Sequence, residues 1–288
     1  MSWRTVVISH TAKLDYQIGY LVVRGQETIK IHLSEIGILV VESTAVSMTA
    51  YLLSELVKKK IKVIFCDEKR NPSSELISYY GSHDTSVKIR RQMEWSREEK
   101  ATLWTEIVSE KIRKQAELLE QYGKTEAELL YQYINEIELG DVTNREGHAA
   151  KVYFNALFGK DFTRTADCNI NAALNYGYSI ILSSFTREIV ANGYITQIGL
   201  FHDNMFNQFN LASDLMEPFR PIVDDAVYNM KISVFEKNEK MQLVNLLNKS
   251  VNINDRTEYV NNAIKIYCRS IFDALCDKDI ALIKFYSL

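Results

Sequence analysis

The hydrophobic period changes once along this chain, and that change limits what it can fold into more than any other feature. Up to Cys66 the apolar residues come in short Val- and Ile-rich runs, at Thr5 to Ser9, Gly19 to Arg24, Thr28 to Leu33, Ile36 to Glu42 and Lys62 to Cys66, separated by turn-like stretches such as Arg24-Gly25-Gln26-Glu27. These runs predict antiparallel strands, with one helix over Ser47 to Lys60, where Tyr51, Leu52 and Leu56 share a side. Asn71-Pro72-Ser73-Ser74 and Gly81-Ser82 then concentrate turn formers. Beyond Asp84 the spacing is helical: Ser96 to Tyr122, Thr125 to Glu138, Thr143 to Phe158, Asp167 to Asn192, and further helices to Tyr286. The expected fold class is α+β, with a small N-terminal β-rich domain over residues 1–74, a linker at 75–84 and a larger all-α domain over 85–288.

Composition agrees with two ordered domains. With 288 residues, 47% of them hydrophobic, there is enough apolar material for a small core beside a larger one, and few Gly or Pro residues to interrupt helices. The formal net charge of -3 excludes a uniformly basic nucleic-acid coat, so any DNA contact must use local patches. Cys66, Cys168, Cys268 and Cys276 form no CxxC pair and read as buried thiols of a reducing cytoplasm. Met1-Ser2-Trp3-Arg4 opens no signal peptide, and no run approaches the ~18 apolar residues of a membrane span, so a cytoplasmic location without a membrane partner is expected.

Two features resemble functional motifs and have plainer explanations. Gly123-Lys124-Thr125 looks like the end of a phosphate-binding loop, but Leu118 stands where that loop needs its first glycine, and Thr125 with Glu128 fits a capping box. The cations Lys58, Lys59 and Lys60 with Lys62, and Lys88, Arg90, Arg91 and Arg97, are either solvated faces or phosphate contacts. Trp95 and Trp104 beside the second group read as core anchors rather than base-stacking platforms. His10, His32 and His83 have no identifiable partners.

Three segments carry chemistry. In Arg145-Glu146-Gly147-His148-Ala149-Ala150, helical spacing puts Glu146 on the face of Ala150, Tyr153 and Leu157, where an ionised carboxylate needs an opposing cation, either Arg or Lys or a metal. Gly199-Leu200-Phe201-His202-Asp203 delivers an imidazole at the end of an apolar stretch. Asp214 and Glu217 sit three apart before Pro218, so two like charges share one face and call for a cation. A Glu, a His and an acidic pair from three helical segments suit a divalent ion, with Mg2+ or Mn2+ the natural choice.

Those residues, with Tyr153-Phe154, Asn171-Ala172-Ala173-Leu174-Asn175-Tyr176-Gly177-Tyr178, Gly199-Leu200-Phe201-His202 and Asp214-Leu215-Met216-Glu217-Pro218-Phe219-Arg220, occur in an order that resembles the CRISPR adaptation integrase, in the compact form found beside type II RNA-guided nucleases. The resemblance runs essentially from end to end. It implies that Glu146, His202 and Glu217 are catalytic metal ligands and that Asp214 is an accessory acid near the same site. It also implies an N-terminal β-sandwich that dimerises, a helical catalytic domain, and a heterohexamer with the small second CRISPR adaptation protein. Arg145 and Arg220, which flank the site residues, join Lys58, Lys59, Lys60, Arg90 and Arg91 as cations expected to face double-stranded DNA. One departure is Ala166-Asp167-Cys168-Asn169, where many relatives carry a proline after the aspartate; it bears on a helix start and not on the ligands.

The implied reaction is transesterification: the 3'-hydroxyl of a captured DNA fragment attacks a phosphodiester at the repeat boundary and inserts the fragment as a spacer. Because one phosphodiester replaces another, no ATP is needed. His202 must be neutral to coordinate, so activity is expected to fall at acid pH. A rival reading is a helical metal phosphohydrolase using the His202-Asp203 doublet with His148 and Asp224 or Asp225. In a third, the chain is a non-catalytic DNA-binding scaffold.

Overall fold

The computed structural model describes residues 4–78 and 82–287. The Met1-Ser2-Trp3 start and Gly81 of the expected linker lie outside the described residues. The chain divides into two compact units, residues 1–79 and 80–288.

The first unit is two four-stranded sheets sharing one core. Its elements are β1 (Arg4–Ile8), β2 (Ala12–Gln17), β3 (Tyr20–Arg24), β4 (Thr28–His32), β5 (Ile36–Val41), β6 (Val46–Met48), α1 (Ala50–Lys58), β7 (Lys62–Cys66) and β8 (Pro72–Glu75). One sheet runs β1-β5-β7-β8 and the other β4-β3-β2-β6. Val6, Ile8, Leu39 and Val63 from the first meet Leu14, Leu21 and Ile31 from the second, with Leu52 and Leu56 of α1 closing the cluster. Burying these side chains between two sheets and a helix supplies the unit's main stabilisation, at about 25 cal/mol per Å² of apolar surface.

The expectation of antiparallel strands holds for β2-β3-β4 and fails for β1 and β5, which pair in parallel, as do β5 with β7 and β2 with β6; β7 and β8 are antiparallel. The physical reason is visible in β5, whose six residues Ile36 to Val41 are all buried, the unbroken apolar run of a central strand covered on both faces. The turn-rich Asn71-Pro72-Ser73-Ser74 is also not simply a loop. Pro72 opens the edge strand β8, where a missing N–H is tolerated. Lys62, grouped by sequence with the exposed Lys58 to Lys60, is buried in β7 and faces Glu75 at 3.6 Å.

The second unit contains α2 (Thr85–Glu94), α3 (Arg97–Gln121), α4 (Ala127–Asn135), α5 (Arg145–Phe158), α6 (Asn169–Ala191), α7 (Asn210–Leu215), α8 (Arg220–Met230), α9 (Lys237–Asn245) and α10 (Val260–Asp277). It is not all-α as expected: β9 (Ser250–Ile253), β10 (Arg256–Tyr259) and β11 (Tyr286–Ser287) form a three-stranded sheet. Asn254 and Asp255 both adopt positive φ, 52° and 59°, the backbone of a two-residue hairpin turn that these side chains accept readily. α3 starts in a reciprocal capping box, in which Ser96 Oγ accepts from Glu99 N at 3.1 Å and Ser96 N donates to Glu99 Oε2 at 2.8 Å. The box expected at Thr125 does not form, because the helix there begins one residue later, with Glu126 at its N-cap and no side-chain cap bond.

α3 is buried on most of its circumference, and its seam reads Trp104, Ile107, Val108, Lys111, Ile112, Gln115, Leu118, Leu119. Two polar residues in such a seam need specific partners.

Candidate active site

Glu146 is held at the first turn of α5 by a tightly specified helix start. Asn144 takes a left-handed conformation at φ 53° and accepts from Gly147 N at 3.2 Å, while the carboxylate of Asp141 accepts from Arg145 N at 2.7 Å and Glu146 N at 3.0 Å. These bonds satisfy the free amides of the first turn. A Cβ on Gly147 would meet Asn144 Oδ1 at 2.7 Å, so the cap needs glycine there. The buried face of α5 is Ala149, Tyr153 and Leu157, and Glu146 extends it toward α3.

His202 lies in the loop between α6 and α7, and Asp214 of α7 builds that loop around itself. Asp214 is fully buried and accepts from Leu200 N at 2.6 Å, Phe201 N at 3.1 Å and His202 N at 3.2 Å. His202 Nδ1 stands 2.5 Å from Asp214 Oδ1. A carboxylate so placed only accepts, so Nδ1 carries the proton and Nε2 keeps a free lone pair. Gly199 permits the fold-back, because a Cβ there would strike the His202 carbonyl and come within 2.7 Å of Asp214 Oδ2. Trp104 of α3 stacks on Phe201 at 4.6 Å between ring centroids and meets His202 edge-on at 5.8 Å, which gives the imidazole a rigid wall. The hydrogen bond that His202 donates to Asp214 raises the His202 pKa against the opposing effect of burial, and the charges of Asp214, Glu217 and Glu146 add to the rise.

Glu217 begins a 3-10 turn, Glu217–Phe219, that joins α7 to α8. Its Oε1 accepts from Arg220 Nε at 2.8 Å, and its Oε2 is paired with the ammonium of Lys111. The same ammonium lies 2.5 Å from Glu146 Oε1. Lys111 thus bridges the two carboxylates. Burial alone would push the Glu217 carboxyl up, but Arg220 and Lys111 outweigh it and hold the group below its usual range. For Lys111, burial lowers the pKa, and Glu217 and Glu146 reverse that and leave it above the ordinary lysine value.

Side-chain exposure shows how the site opens: 3% for Glu217, 8% for Lys111, 21% for Glu146 and 39% for His202. Glu217 forms the floor, and His202 and Glu146 face the entrance. The geometry fits a divalent ion in its donor types, two carboxylates and an imidazole whose second nitrogen is already tied to an acid, as metal-ligating histidines characteristically are. Glu217 Oε2 is buried, and the donor it meets is the Lys111 ammonium. As they stand, no three His, Cys, Asp or Glu side chains among the described residues converge closely enough to hold an ion, and Lys111 lies between the two that would.

Several expectations change here. Asp214 and Glu217 do not share a cation: Asp214 accepts from three backbone N–H groups and meets His202, so it stands beside the site as the acid that positions the imidazole. Arg220 is committed to Glu217, with its guanidinium 4.7 Å from the Tyr178 ring centroid, so it belongs to the site's interior. Arg145 pairs with Glu136 at 3.0 Å and covers the Tyr133 ring. Lys58, Lys59, Lys60, Arg90 and Arg91 are exposed, Lys58 being paired with Glu55. Trp104 is the core anchor expected of it, whereas Cys276 is exposed and Cys168 half-buried, against the expectation of buried thiols.

The rival phosphohydrolase set is not assembled. His148 is exposed on α5 beside Tyr133, and Asp203 is exposed. Asp224 accepts from Tyr153 Oη at 3.0 Å and from Tyr178 Oη, and Asp225 accepts from Tyr122 Oη at 2.6 Å and Lys249 Nζ at 2.8 Å. Lys111 is the functional residue that sequence reasoning missed, and its one signal was a lysine on the apolar seam of α3.

Comparison with known proteins places the chain in a family. The profile of the family described as CRISPR associated protein Cas1 matches residues 5–249. The CRISPR-associated endonuclease Cas1 of Neisseria meningitidis serogroup C (strain 8013) is 34% identical over 232 residues, 80% of this chain and 76% of that protein. Among solved structures, a casposase bound to integration product superposes with a TM-score of 0.80 at 18% identity, over 97% of this chain and 92% of that one. A chain of a Cas6-RT-Cas1–Cas2 complex gives 0.72 at 18% identity over 97% of this chain, which spans 36% of that longer polypeptide. At such identities the two structures establish a shared fold, and the profile match and the Neisseria relative establish the lineage: the chain belongs to the Cas1 family of CRISPR-associated proteins.

Proposed function

We propose that this chain is a divalent-metal-dependent DNA strand transferase and endonuclease that inserts captured DNA fragments as new spacers into a CRISPR array. Glu146, His202 and Glu217 are the ligands of Mg2+ or Mn2+, and Asp214 positions His202. One observation carries the reading: Asp214 holds the His202 proton on Nδ1, so that Nε2 presents a lone pair beside two carboxylates whose present partner is a lysine ammonium.

A divalent ion bound there supplies polarisation of a phosphoryl oxygen and a lowered pKa for the attacking hydroxyl. The chain's own residues do the rest. Asp214 fixes the tautomer and ring orientation of His202 before substrate arrives, and Trp104 blocks ring rotation. Arg220 orients Glu217 through Nε, which leaves Oε2 pointing at the cleft. In the reaction the 3'-oxygen of the captured strand forms a bond to phosphorus, the bond to the departing 3'-oxygen breaks, and the attacking hydroxyl's proton is balanced by protonation of the leaving oxygen. One phosphodiester replaces another, so positioning and charge stabilisation suffice.

The partners proposed are a second copy of this chain through the N-terminal unit, the small second CRISPR adaptation protein in a heterohexamer, and double-stranded DNA. Support for the second protein comes from the structural neighbour solved in a complex with Cas2. The exposed Lys58, Lys59, Lys60, Arg90 and Arg91 are proposed to contact phosphates.

The test is strand transfer from a free-ended duplex into a supercoiled repeat target, with the partner subunit supplied, under Mg2+ and under Mn2+. Glu146→Ala is expected to lower product on the order of a thousandfold while DNA binding persists. Full activity in that variant would remove the assignment.

A further inference from the structure

Lys111 is the one residue of the site that the ligand assignment leaves without a role. It is also the residue that makes the site self-sufficient. Glu146 and Glu217 contribute two negative charges, Lys111 and Arg220 two positive ones, and the four are joined by direct contacts. Asp214 carries one more negative charge, held by its N–H donors and His202. Without any ion the other four sum to zero, which is the condition under which buried charges are tolerable, and Asp214 leaves the site one net negative charge.

A divalent ion changes that sum. It would bond the carboxylate oxygens at about 2.1 Å, competing with an ammonium that now lies 2.5 Å from Glu146 Oε1 and beside Glu217 Oε2. With Lys111 and Arg220 still present, the site would carry one uncompensated positive charge in a partly dry cleft. Lys111 cannot hand its charge to bulk water, because only 8% of its side chain is exposed and its backbone is fixed in the centre of α3. The compensating group has to be an anion that enters by the open side at His202 and Glu146, and a DNA phosphodiester carries the required charge.

We propose that Lys111 is a resident counter-cation which occupies the metal's share of Glu146 and Glu217 in the metal-free protein and releases those oxygens when a divalent ion and a phosphodiester enter together, so that it couples metal loading to DNA binding. The inference rests on the proposed ligand set. Lys111 weakens metal binding to the free protein, and DNA relieves that effect by giving the ammonium a phosphate to pair with. By linkage, metal strengthens DNA binding by the same factor. The coupling keeps the site closed to metal until substrate is present.

The experiment measures Mn2+ affinity by calorimetry and by the Mn2+ electron-spin signal, using the full chain with and without a short duplex. Mn2+ bound by the Glu146→Ala protein and by the DNA itself is subtracted. In the wild type, duplex is expected to tighten Mn2+ binding about tenfold or more. Lys111→Met is expected to bind Mn2+ about tenfold tighter than wild type without DNA, to lose most of the further gain from duplex, and to show a larger rise in melting temperature on Mn2+ addition. Lys111→Gln, which keeps a donor for the carboxylates, must move in the same direction and serves if the methionine variant fails to fold. Equal or weaker Mn2+ affinity in these variants would overturn the inference while leaving the ligand set intact, and so would an undiminished effect of DNA. Absence of any Glu146-dependent Mn2+ in the wild type, with or without duplex, would overturn the ligand set and this inference with it.

Discussion

The two units of this chain treat buried charge in opposite ways. In the N-terminal unit the shared core of Val6, Leu14, Leu21, Leu39, Leu52 and Val63 is wholly apolar, and the buried charges sit in simple pairs, Lys62 with Glu75, Glu42 with Arg70 and Glu55 with Lys58. In the C-terminal unit a charged seam runs through the interior, with Lys111, Asp214, Glu217 and Asp224 buried among helices and Arg220 half-buried at its edge. Desolvating ions costs more than burying hydrocarbon of the same volume, so a fold selected for stability alone would not place them there. The first unit is built to persist, and the second gives up stability to hold a preorganised site.

Substitutions at matched depth in the two units break the comparison most sharply. Glu217→Ala strands Lys111 and Arg220 without their shared carboxylate and is expected to cost about 3–5 kcal/mol, together with loss of any Mn2+-induced rise in melting temperature. Chemical denaturation with and without Mn2+ measures both. Leu39→Ala in the other core is expected to cost about 3 kcal/mol by cavity formation while leaving Mn2+ affinity of the folded protein unchanged. A change in metal affinity there would refute the separation of roles.

Asp214→Asn tests whether positioning matters apart from ligation. The amide keeps the size but can present its NH2 to the loop's N–H groups and free the imidazole tautomer, so metal affinity and strand transfer are both expected to fall about 10–100-fold. Titration calorimetry and a strand-transfer time course give the two numbers, and an unchanged affinity would count against the positioning role.

A smaller, pH-dependent effect comes from Asp224. Burial raises its carboxyl to about 6, against the lowering effect of hydrogen bonds from Tyr178 and Tyr153. The ordinary aspartate value, which the unfolded chain should show, is 3.8. Between those values the folded state holds a proton that the unfolded state lacks. Stability from this group therefore rises as pH falls through about 6 and levels off below about 3.8, a gain on the order of 3 kcal/mol relative to pH 7. Melting curves from pH 7 to pH 4 should show that gain in the wild type and not in Asp224→Asn; identical profiles would show that Asp224 does not titrate in this window.

The same contrast explains what could be read from the sequence. Runs such as Ile36 to Val41 and Lys62 to Cys66 are self-evident strands because their burial is written in consecutive apolar residues, and α3, α5 and α6 begin and end within a few residues of their periodic segments. Strands whose pattern is weak or whose partners are distant were not legible: Ala12–Gln17 alternates weakly, Pro72–Glu75 looks like a turn, and β11 reaches β9 only after the chain has folded back through α10. At the site, Glu146 stood out because an acid on a packed helical face is costly, and His202 and Glu217 joined it through the order of motifs that resembles a known family. Lys111 did not, since a lysine in a helix is commonplace until tertiary packing buries it. The division of labour between Asp214 and Glu217 was likewise hidden, because spacing of three residues says they are near each other and not which way each carboxylate turns.

The claim beneath all of this is that Glu146, His202 and Glu217 close on one divalent ion. Crystals grown with Mn2+ and a short duplex, measured at the manganese absorption edge, test it directly. A single anomalous peak about 2.1–2.3 Å from a Glu146 oxygen, His202 Nε2 and a Glu217 oxygen, with the Lys111 ammonium withdrawn from between the two carboxylates, is the expected result. Manganese bound elsewhere, with Lys111 still bridging Glu146 and Glu217, would contradict it.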